Sequence, residues 1–484
     1  MIDLEVHAAR PLVVDLDGSL IKTDLLAETA SRFLVGRPGG AFKLLAWLRE
    51  GRVVLKSRLA EATTIDVALL PYNEELLAWL RLERSQGRRI VLATASHRLL
   101  AEQVARHLGC FDAVLASDAD RNLKGSAKRD ALVQLYGERG FDYVGNDWPD
   151  LKIWQSAAQA HVVGRSPRLT ERVRQLGNLG RIIDHGGPSL PVAFGRALRP
   201  HQWLKNLLIF IPLLAAHLVG DGTRVLHAVL AFVIFGLTAS SAYLLNDLVD
   251  VADDRRHARK RRRPFAAGHL SLVHGWAAWP LLLMLSFSTA AWLLPWRFIV
   301  CLSIYFVLTI AYSLRLKRIP VLDVFVLAGL YTLRIVTGAA AVDVPLSFWL
   351  LLFSIFLFLS LALVKRFSEL KTSRDAGVTE ALPGRGYAPQ DLEMVSSLGG
   401  SAGYIAVLVL GLYVQDSHTA TLYAEPRFIW LACPVLLYWI SRVWLIAHRG
   451  KMHDDPIVFA VTDRVSWAVI LILVLAFVLA KVVT

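Results

Sequence analysis

The stretch NDLVDVADDRRHARKRRRP, residues 246–264, decides the fold, because it ends a long apolar run with acidic residues and then turns strongly basic. Within it Asn246, Asp250 and Asp254 recur at every fourth position, which on a helix places all three on one face. Carboxylates stacked in this way repel one another unless a cation lies among them, and Mg²⁺ bound to a diphosphate suits such a set. Carboxylates at membrane depth are costly and usually functional. A solvated acidic helix end, balanced by the following Arg and Lys residues, is the alternative.

Apolar runs surround this stretch and continue towards the last residues of the chain. From residue 203 onward they are roughly 17–23 residues long, which suits a hydrocarbon core about 30 Å thick. We therefore predict an all-α polytopic membrane domain of nine transmembrane helices, at residues 204–220, 225–246, 272–293, 297–313, 321–341, 346–364, 398–415, 427–446 and 465–483.

The composition indicates a membrane domain joined to a soluble one. Of the 484 residues, 55% are hydrophobic and only 19% are charged, against about 25% charged in an ordinary soluble protein. Residues 1–190 hold 26 Lys and Arg against 23 Asp and Glu, whereas residues 191–484 hold 27 against 17, so the basic excess lies in the apolar half. Three cysteines are too few and too scattered for a disulfide framework.

The loops between the predicted spans alternate in charge. Those after the second, fourth and sixth spans are basic, and by the positive-inside rule they face the cytoplasm. Nine spans then place the N-terminal domain in the cytoplasm and the C-terminus outside, which agrees with the lack of a signal-peptide pattern in residues 1–10. We predict a multi-pass protein of the inner (cytoplasmic) membrane. The basic run of residues 255–264 is too short, and too closely confined between spans, to suit nucleic acid.

Further polar side chains lie near the ends of the predicted spans. Lys260 and Arg263 are candidates for phosphate binding, because arginine matches phosphate geometry with two prongs, although the basic run also suits a purely topogenic role. Lys205, at the start of the first span, can reach a lipid phosphate. Arg334 lies inside an apolar stretch, where it must face a cavity or a partner, or form a helix-packing salt bridge. The other candidates for substrate binding are Tyr312, Lys317, Asp323, Lys365, Arg366 and Arg385.

These segments resemble the UbiA superfamily of intramembrane prenyltransferases over nearly all of residues 195–484. Within that superfamily they are most similar to the branch that transfers phosphoribosyl groups to decaprenyl-type polyprenyl phosphates. The stretches that carry the likeness are RPHQWLKNLLIF (199–210), KRRRPFAAG (260–268), YSLRLKRIPVLD (312–323), KRFSEL (365–370) and RGY (385–387).

The resemblance implies a polyprenyl phosphate acceptor and phosphoribosyl diphosphate as donor, with Mg²⁺ held by Asn246, Asp250 and Asp254. Asp250 and Asp254 would be the catalytic pair, and the basic residues would divide between the two phosphate groups. One departure matters. Prenyltransferases that act on aromatic rings usually carry a second motif of the form DxxxD, whereas here Leu327 stands four residues after Asp323. This departure favours a donor diphosphate together with a separate lipid phosphate.

The N-terminal half contains a different set of motifs, each at the end of a predicted strand. VVDLDGSL (13–20) ends in Asp15 and Asp17, two carboxylates that can share Mg²⁺ while one attacks phosphorus and the other donates a proton. RIVLATAS (89–96) carries Thr94 near its end, and the hydroxyl of Thr94 can hold a phosphate oxygen. A lysine follows at Lys128, with Lys124 as the alternative.

The last predicted strand, FDYVGNDWPD (141–150), ends in a Gly-Asn-Asp turn with Asp147 and Asp150. Together the four motifs resemble the haloacid dehalogenase-like phosphatases over residues 9–165. The resemblance implies a Rossmann-like α/β fold with a helical cap at about 22–88. It also implies Asp15 as nucleophile, Asp17 as acid and base, Thr94 and Lys128 as phosphate ligands, and Mg²⁺ bound by Asp15, Asp17 and Asp147.

Asn146 departs from the usual final motif, Gly-Asp-x-x-x-Asp, because it occupies the first aspartate position. Either Asp147 takes over by a shift of one residue, or metal binding is weakened. An inactive, scaffold-like domain is the further alternative.

We expect a phosphatase-like domain at 1–183, a linker at 184–194 and a membrane transferase at 195–484. The expected reaction transfers 5-phosphoribosyl to a polyprenyl phosphate, after which the N-terminal domain removes the 5-phosphate. Because a lipid phosphate is already anionic, this transfer needs no general base. The alternatives are prenyl transfer from a prenyl diphosphate to an aromatic acceptor, beside a regulatory or inactive N-terminal domain, and a non-catalytic membrane anchor.

Overall fold

A computed structural model describes residues 10–37, 39–118, 122–377, 386–415, 423–452 and 456–482. The chain divides into two compact units. The first contains Met1–Leu198 and Tyr243–Trp279, and the second contains Arg199–Ala242 and Pro280–Thr484. Arg385 lies outside the described residues.

The first unit is built on a six-stranded parallel sheet with the strand order β3-β2-β1-β4-β5-β6. This confirms the predicted α/β class. The strand predicted to be the last is followed by two more, so that prediction is wrong. Both additional strands are short, and their sequences were not distinguished from loops. The strands are β1 (Leu12–Val14), β2 (Ile90–His97), β3 (Ala113–Ser117), β4 (Asp142–Gly145), β5 (Ala160–Val163) and β6 (Leu179–Ile183).

Strand β1 lies at the centre of the sheet, where Val13 pairs with Val91 on one side and Tyr143 on the other. Leu12 and Val14 pack into one hydrophobic cluster and Val13 into another, so both faces of the sheet are buried. A strand buried on both faces reads as an unbroken apolar run, which explains why LVV could be recognised. Because parallel strands share a direction, the side chains after β1, β2 and β4 meet at one edge.

Helices connect these strands and cover the sheet. They are α1 (Leu25–Gly36), α2 (Gly40–Glu50), α3 (Arg52–Ala62), α4 (Glu74–Ser85), α5 (Arg98–Leu108), α6 (Ser126–Tyr136), α7 (Leu151–Ser156), α8 (Pro167–Arg174) and α9 (Leu190–Leu198). The first four lie between β1 and β2, as expected for an inserted helical cap. In α3 only Leu55 and Leu59 are buried, so the apolar stripe of this helix is narrow.

The remaining helices include long apolar ones. In chain order they are α10 (Ile211–Ala215), α11 (Gly222–Val249), α12 (Val251–Arg256), α13 (Leu272–Leu293), α14 (Trp296–Leu314), α15 (Leu322–Val342), α16 (Phe348–Asp375), α17 (Leu392–Gln415), α18 (Ala432–His448), α19 (Pro456–Thr462) and α20 (Arg464–Val482). Among the described residues, eight helices are long and apolar enough to cross a membrane, against nine predicted.

The difference lies in residues 204–220. They belong to a 3₁₀ helix, Pro200–Phe210, followed by the five-residue α10, rather than to one helix of membrane-spanning length. Pro212 lacks the backbone N–H that a continuing helix would use. The indole of Trp203 donates to Ser240 Oγ at 3.0 Å, which anchors the segment within the second unit. The predicted external C-terminus depended on an odd number of spans, and the eight helices found do not support it.

Candidate functional site

The acidic segment lies where α11 ends and α12 begins. Asp250 separates the two helices, so the uninterrupted helix predicted for this segment is interrupted there. The backbone nevertheless keeps its helical bonding, because the Asp250 N–H donates to the Asn246 carbonyl at 2.9 Å and the Asp254 N–H donates to the Asp250 carbonyl at 2.8 Å. The four-residue repeat of the three side chains therefore survives the break.

Arg263 binds two carboxylates of this segment. Its Nη1 lies 3.1 Å from Asp247 Oδ1 and 2.7 Å from Asp254 Oδ2, and both aspartates are 2% exposed. The structure thus places Arg263 on carboxylates, whereas the sequence suggested a phosphate. Asp247 was not among the predicted site residues because it falls outside the four-residue repeat. Lys260, by contrast, is exposed.

Asn246, Asp250 and Asp254 supply hard oxygen atoms, the donor type that Mg²⁺ prefers. In the described ranges, no three His, Cys, Asp or Glu side chains converge into a metal site of their own. A magnesium ion at this segment would therefore take further oxygen ligands from Asn246, water or a substrate phosphate. The donor chemistry fits the ion.

In the second unit, a buried polar cluster forms around Asp323. Its Oδ2 lies 2.5 Å from Arg366 Nη2, and its Oδ1 accepts the Tyr387 hydroxyl at 2.8 Å. The side chains of Asp323 and Arg366 are 0% exposed. Arg366 also pairs with Glu369, and the Tyr387 hydroxyl accepts the Val321 N–H at 2.7 Å. Both carboxylate oxygens of Asp323 are thus engaged within the protein.

The other predicted substrate ligands of this unit lie on several different helical elements. Lys205 is 8% exposed, and its ammonium lies 5.9 Å from the centre of the Tyr331 ring. Tyr312 lies near the end of α14, Lys317 is in the 3₁₀ helix Leu316–Arg318, and the half-buried Lys365 precedes Arg366 in α16.

Arg334 is 5% exposed and lies among aromatic rings. Its guanidinium is 5.1 Å from the centre of the Tyr305 ring and 5.4 Å from that of Tyr331. It donates to Asn206 Oδ1 at 3.1 Å and to the Leu330 carbonyl at 2.6 Å. Arg334 therefore has partners within the protein, as we expected for a charged side chain inside an apolar helix.

The phosphatase-like motifs converge at the carboxyl edge of the sheet. Lys128 Nζ lies 2.7 Å from Asp15 Oδ1 and donates to the Tyr143 hydroxyl at 3.1 Å. Both charged side chains are almost fully buried. Burial raises the pKa of Asp15 to about 7, while Lys128 opposes that rise. The structure therefore selects Lys128 rather than Lys124 as the lysine of this site.

Asp17 is fixed by three donors. Its Oδ1 accepts the Leu25 N–H at 2.8 Å, and its Oδ2 accepts the Ser96 hydroxyl at 2.6 Å and the Thr94 hydroxyl at 3.3 Å. Burial raises the pKa of Asp17 to about 6. A carboxyl group with a pKa close to neutral pH is suited to donate a proton to a leaving oxygen. Ser96 was not predicted, although it lies only two residues after Thr94 in β2.

Asn146, and not Asp147, faces the turn after Asp15. A Cβ on Gly18, which has φ +73°, would lie 2.2 Å from Asn146 Nδ2, and Ser19 donates to Asn146 Oδ1 at 3.2 Å. Asp147 is exposed and its carboxylate accepts the Trp148 N–H at 2.8 Å. An amide oxygen is an acceptable ligand for Mg²⁺, so the position beside the turn still fits the ion.

Asp150 was predicted at this turn together with Asp147, but without a role of its own. It is 5% exposed, accepts the Tyr143 hydroxyl at 3.0 Å and accepts the backbone N–H groups of Asn146 and Asp147 at 3.0 and 3.1 Å. Asp150 therefore holds the turn that carries Asn146. The sequence contained a signal for it, since it is the last aspartate of the quoted Gly-Asn-Asp-x-x-Asp stretch.

Two family models match the chain. The model of the UbiA prenyltransferase family matches residues 207–467. The model of haloacid dehalogenase-like hydrolases matches residues 12–142.

Three relatives extend the comparison. The uncharacterized protein y4nM of Sinorhizobium fredii is 36% identical over 97% of this chain and 91% of its own length. The nodulation protein NoeC of Azorhizobium caulinodans is 42% identical over 59% of this chain and 92% of its own. The decaprenyl-phosphate phosphoribosyltransferase of Mycolicibacterium smegmatis is 34% identical over 56% of this chain and 86% of its own.

Proposed function

Because the chain belongs to the UbiA prenyltransferase family and carries an N-terminal haloacid dehalogenase-like domain, we propose that it transfers a 5-phosphoribosyl group from phosphoribosyl diphosphate to a polyprenyl phosphate. The similarity to a decaprenyl-phosphate phosphoribosyltransferase over most of that relative's length supports the proposal. The reaction takes place at the inner membrane, with the basic loops and the N-terminal domain in the cytoplasm.

The surroundings of Asp323 are the observation that favours phosphoribosyl transfer to a lipid phosphate over prenyl transfer. Its two carboxylate oxygens are occupied by Arg366 and Tyr387, and an apolar Leu327 stands where a second carboxylate would complete a DxxxD motif. The DxxxD spacing that would hold a metal-bound prenyl diphosphate is therefore missing from this segment of the sequence. The nearby basic residues Lys317 and Lys365 suit a phosphate anion instead.

The acidic segment binds the donor in this proposal. Asn246, Asp250 and Asp254 would hold Mg²⁺, which neutralises charge on the diphosphate as it leaves. Arg263 keeps Asp254 in place through their ion pair. The bond between the ribose anomeric carbon and the diphosphate breaks, and a lipid phosphate oxygen forms the new bond. The nucleophile is already an anion, so no side chain has to remove a proton.

The basic side chains divide between the two phosphate groups of donor and acceptor. They are Lys205, Lys260, Lys317, Lys365, Arg366 and Arg385, with Tyr312 as a further polar contact. Lys205 is the strongest candidate for the acceptor, because it is buried beside an aromatic ring, where a lipid head group can displace water.

The N-terminal domain then removes the 5-phosphate of the product. Asp15 attacks phosphorus, Asp17 donates a proton to the departing ribose oxygen, and water hydrolyses the aspartyl phosphate. Lys128 and Thr94 hold the phosphate oxygens in place. The hydrogen bonds that fix Asp17 and the ion pair between Asp15 and Lys128 support an active rather than a purely structural domain.

The test is a direct transfer assay with the purified full-length protein in nanodiscs. One reaction contains labelled phosphoribosyl diphosphate and polyprenyl phosphate, and the other contains labelled prenyl diphosphate and an aromatic acid. Label in the lipid product of the first pair supports the proposal. Label with the second pair alone would overturn it in favour of prenyl transfer, and label with neither would favour a non-catalytic membrane anchor.

A further inference from the structure

An ion pair joins the cap of the phosphatase-like domain to the acidic segment, and both partners belong to the first unit. Arg255 Nη1 donates to Glu28 Oε2 at 3.0 Å, and Nη2 donates to Glu28 Oε1 at 2.6 Å. Both side chains are only 7% exposed. Two parallel bonds between a guanidinium and a carboxylate fix distance and orientation together. The pair is thus a rigid connection between residues 227 positions apart.

Neighbouring contacts strengthen this connection. The third donor of Arg255, Nε, reaches the Ala266 carbonyl at 3.1 Å, so the same side chain also holds the loop that follows the basic run. Ser31 lies on the face of α1 that carries Glu28, and its Oγ accepts the Trp276 indole N–H at 3.0 Å. Gly268, with φ +71°, approaches Lys22 so closely that a Cβ there would lie 2.7 Å from the Lys22 Cβ.

The pair connects the two proposed sites. Arg255 lies one residue from the proposed magnesium ligand Asp254, and Glu28 lies one helical turn from the residue that binds Asp17. Arg255 directly follows Asp254 in α12, a helix of only six residues. So short a helix is not stable on its own and depends on contacts with its surroundings. At the other end, α1 begins at Leu25, whose N–H binds Asp17, and Glu28 lies one turn further along.

We propose that Glu28 and Arg255 are positioning residues for the transferase: the cap helix α1 holds α12 so that Asp254 is oriented toward the metal-bound diphosphate. This inference rests on the proposed role of Asp254 in donor binding. The N-terminal domain is then a part of the transferase site's support as well as a phosphatase. Arg255 acts here through its contacts within the protein.

Four forms of the full-length protein test the pair: Glu28→Gln, Arg255→Gln, the double variant, and Arg256→Gln as the matched control. Arg256 lies beside Arg255, but it pairs with Asp66 at the surface. The side chain of Arg256 is 59% exposed and that of Asp66 is 50% exposed. Two quantities are measured. One is the affinity for pyrophosphate in the presence of Mg²⁺, by titration calorimetry, and the other is the split between kcat and KM for phosphoribosyl diphosphate.

Each single variant leaves one buried charge unpaired, whereas the double variant leaves two amides that can bond to each other. We expect each single variant to weaken magnesium pyrophosphate binding and raise KM by about tenfold, as loss of a supporting contact to a metal ligand typically does. The double variant should recover to within about threefold of wild type, since the coupling is between neighbours. The control should bind as wild type does.

Wild-type binding of magnesium pyrophosphate in both single variants would overturn the positioning role, and so would a double variant no better than either single one. The calorimetric titration measures pyrophosphate binding without any transfer reaction, so its result does not depend on which substrate the enzyme uses. A wild-type protein that binds magnesium pyrophosphate but transfers no phosphoribosyl group would overturn the proposed function, while weaker binding in Glu28→Gln, restored in the double variant, would still support the positioning contact.

Discussion

The guanidinium of Arg366 lies 2.5 Å from the carboxylate of Asp323, and neither side chain is exposed. The two residues lie on α15 and α16, two helices long and apolar enough to span the membrane. A charge pair in such surroundings depends on both members. Removal of one leaves the other desolvated and without its counter-charge.

Arg366→Leu should therefore destabilise the protein by about 3–5 kcal/mol, the usual effect of breaking a buried ion pair. The double variant Asp323→Leu/Arg366→Leu should be closer to wild type, because the fully buried carboxylate is gone and Glu369, the other partner of Arg366, is 34% exposed. Thermal unfolding in detergent, followed by tryptophan fluorescence, measures the difference. The exposed pair Arg297–Asp343, 64% and 72% exposed, provides the control. Arg297→Gln should change stability by at most about 1 kcal/mol, and an equal effect of both variants would contradict the role of burial.

Asp250→Asn should reduce phosphoribosyl transfer at least about a hundredfold, equivalent to about 2.7 kcal/mol of transition-state stabilisation. The change removes charge from a proposed magnesium ligand and preserves its shape. Asp253→Asn is the matched control, since that aspartate lies three residues away and is 78% exposed. Initial rates over a range of Mg²⁺ concentrations give the answer. Full activity of Asp250→Asn at saturating Mg²⁺ would show that the carboxylate is structural.

Much of the fold could be predicted because its signals are local. Strand β1 is an apolar run that stops at Asp15, and long apolar segments indicate membrane helices by length alone. The prediction of a membrane helix at residues 204–220 was wrong because it, too, used only the length of an apolar segment. A hydropathy count records their leucines, but it takes no account of Pro212 or of the burial of Lys205 and Asn206 within the protein.

The partners of the charged site residues could not be predicted in the same way. Spacing identified Asp254 and Arg263 separately, but their ion pair depends on how the chain turns between them. Asp247 received no predicted role and Asp150 no specific one, because their importance comes from tertiary contacts with Arg263 and Tyr143. Sequence patterns find residues that share a helix face or a strand end, and tertiary packing decides which of them bind one another.

Asn146→Asp should improve magnesium use by the phosphatase-like domain. Asn146 contacts the turn after Asp15, so a carboxylate there would add a negative charge beside the metal position. We expect the Mg²⁺ concentration for half-maximal hydrolysis of a phosphate ester to fall about tenfold, equivalent to about 1.4 kcal/mol. Asp147→Asn should change it little, because Asp147 is exposed and caps Trp148. The reverse ranking would show that Asp147 is the ligand.

Asp15→Asn should separate the two proposed steps. Asp15 is the only group we assign to attack phosphorus, and its replacement by an isosteric amide removes the nucleophile while the amide oxygen can still contact Lys128. Transfer at the membrane site should continue, so the variant should accumulate polyprenyl phosphate linked to ribose 5-phosphate. The wild-type protein should release the dephosphorylated lipid. Asp130→Asn, at an exposed position with a side chain 58% accessible, should behave as wild type.

The measurement is mass spectrometry of the lipid extracted after reaction with phosphoribosyl diphosphate. A covalent link raises the effective concentration of the phosphatase site near a product that stays in the membrane, so the intermediate should be scarce in the wild-type reaction. If wild type and Asp15→Asn accumulate the same 5-phosphorylated lipid, the phosphatase step is wrong and the domain serves the transferase only through contacts such as Glu28–Arg255. If the intermediate builds up in the variant alone, the two domains catalyse consecutive reactions on one lipid.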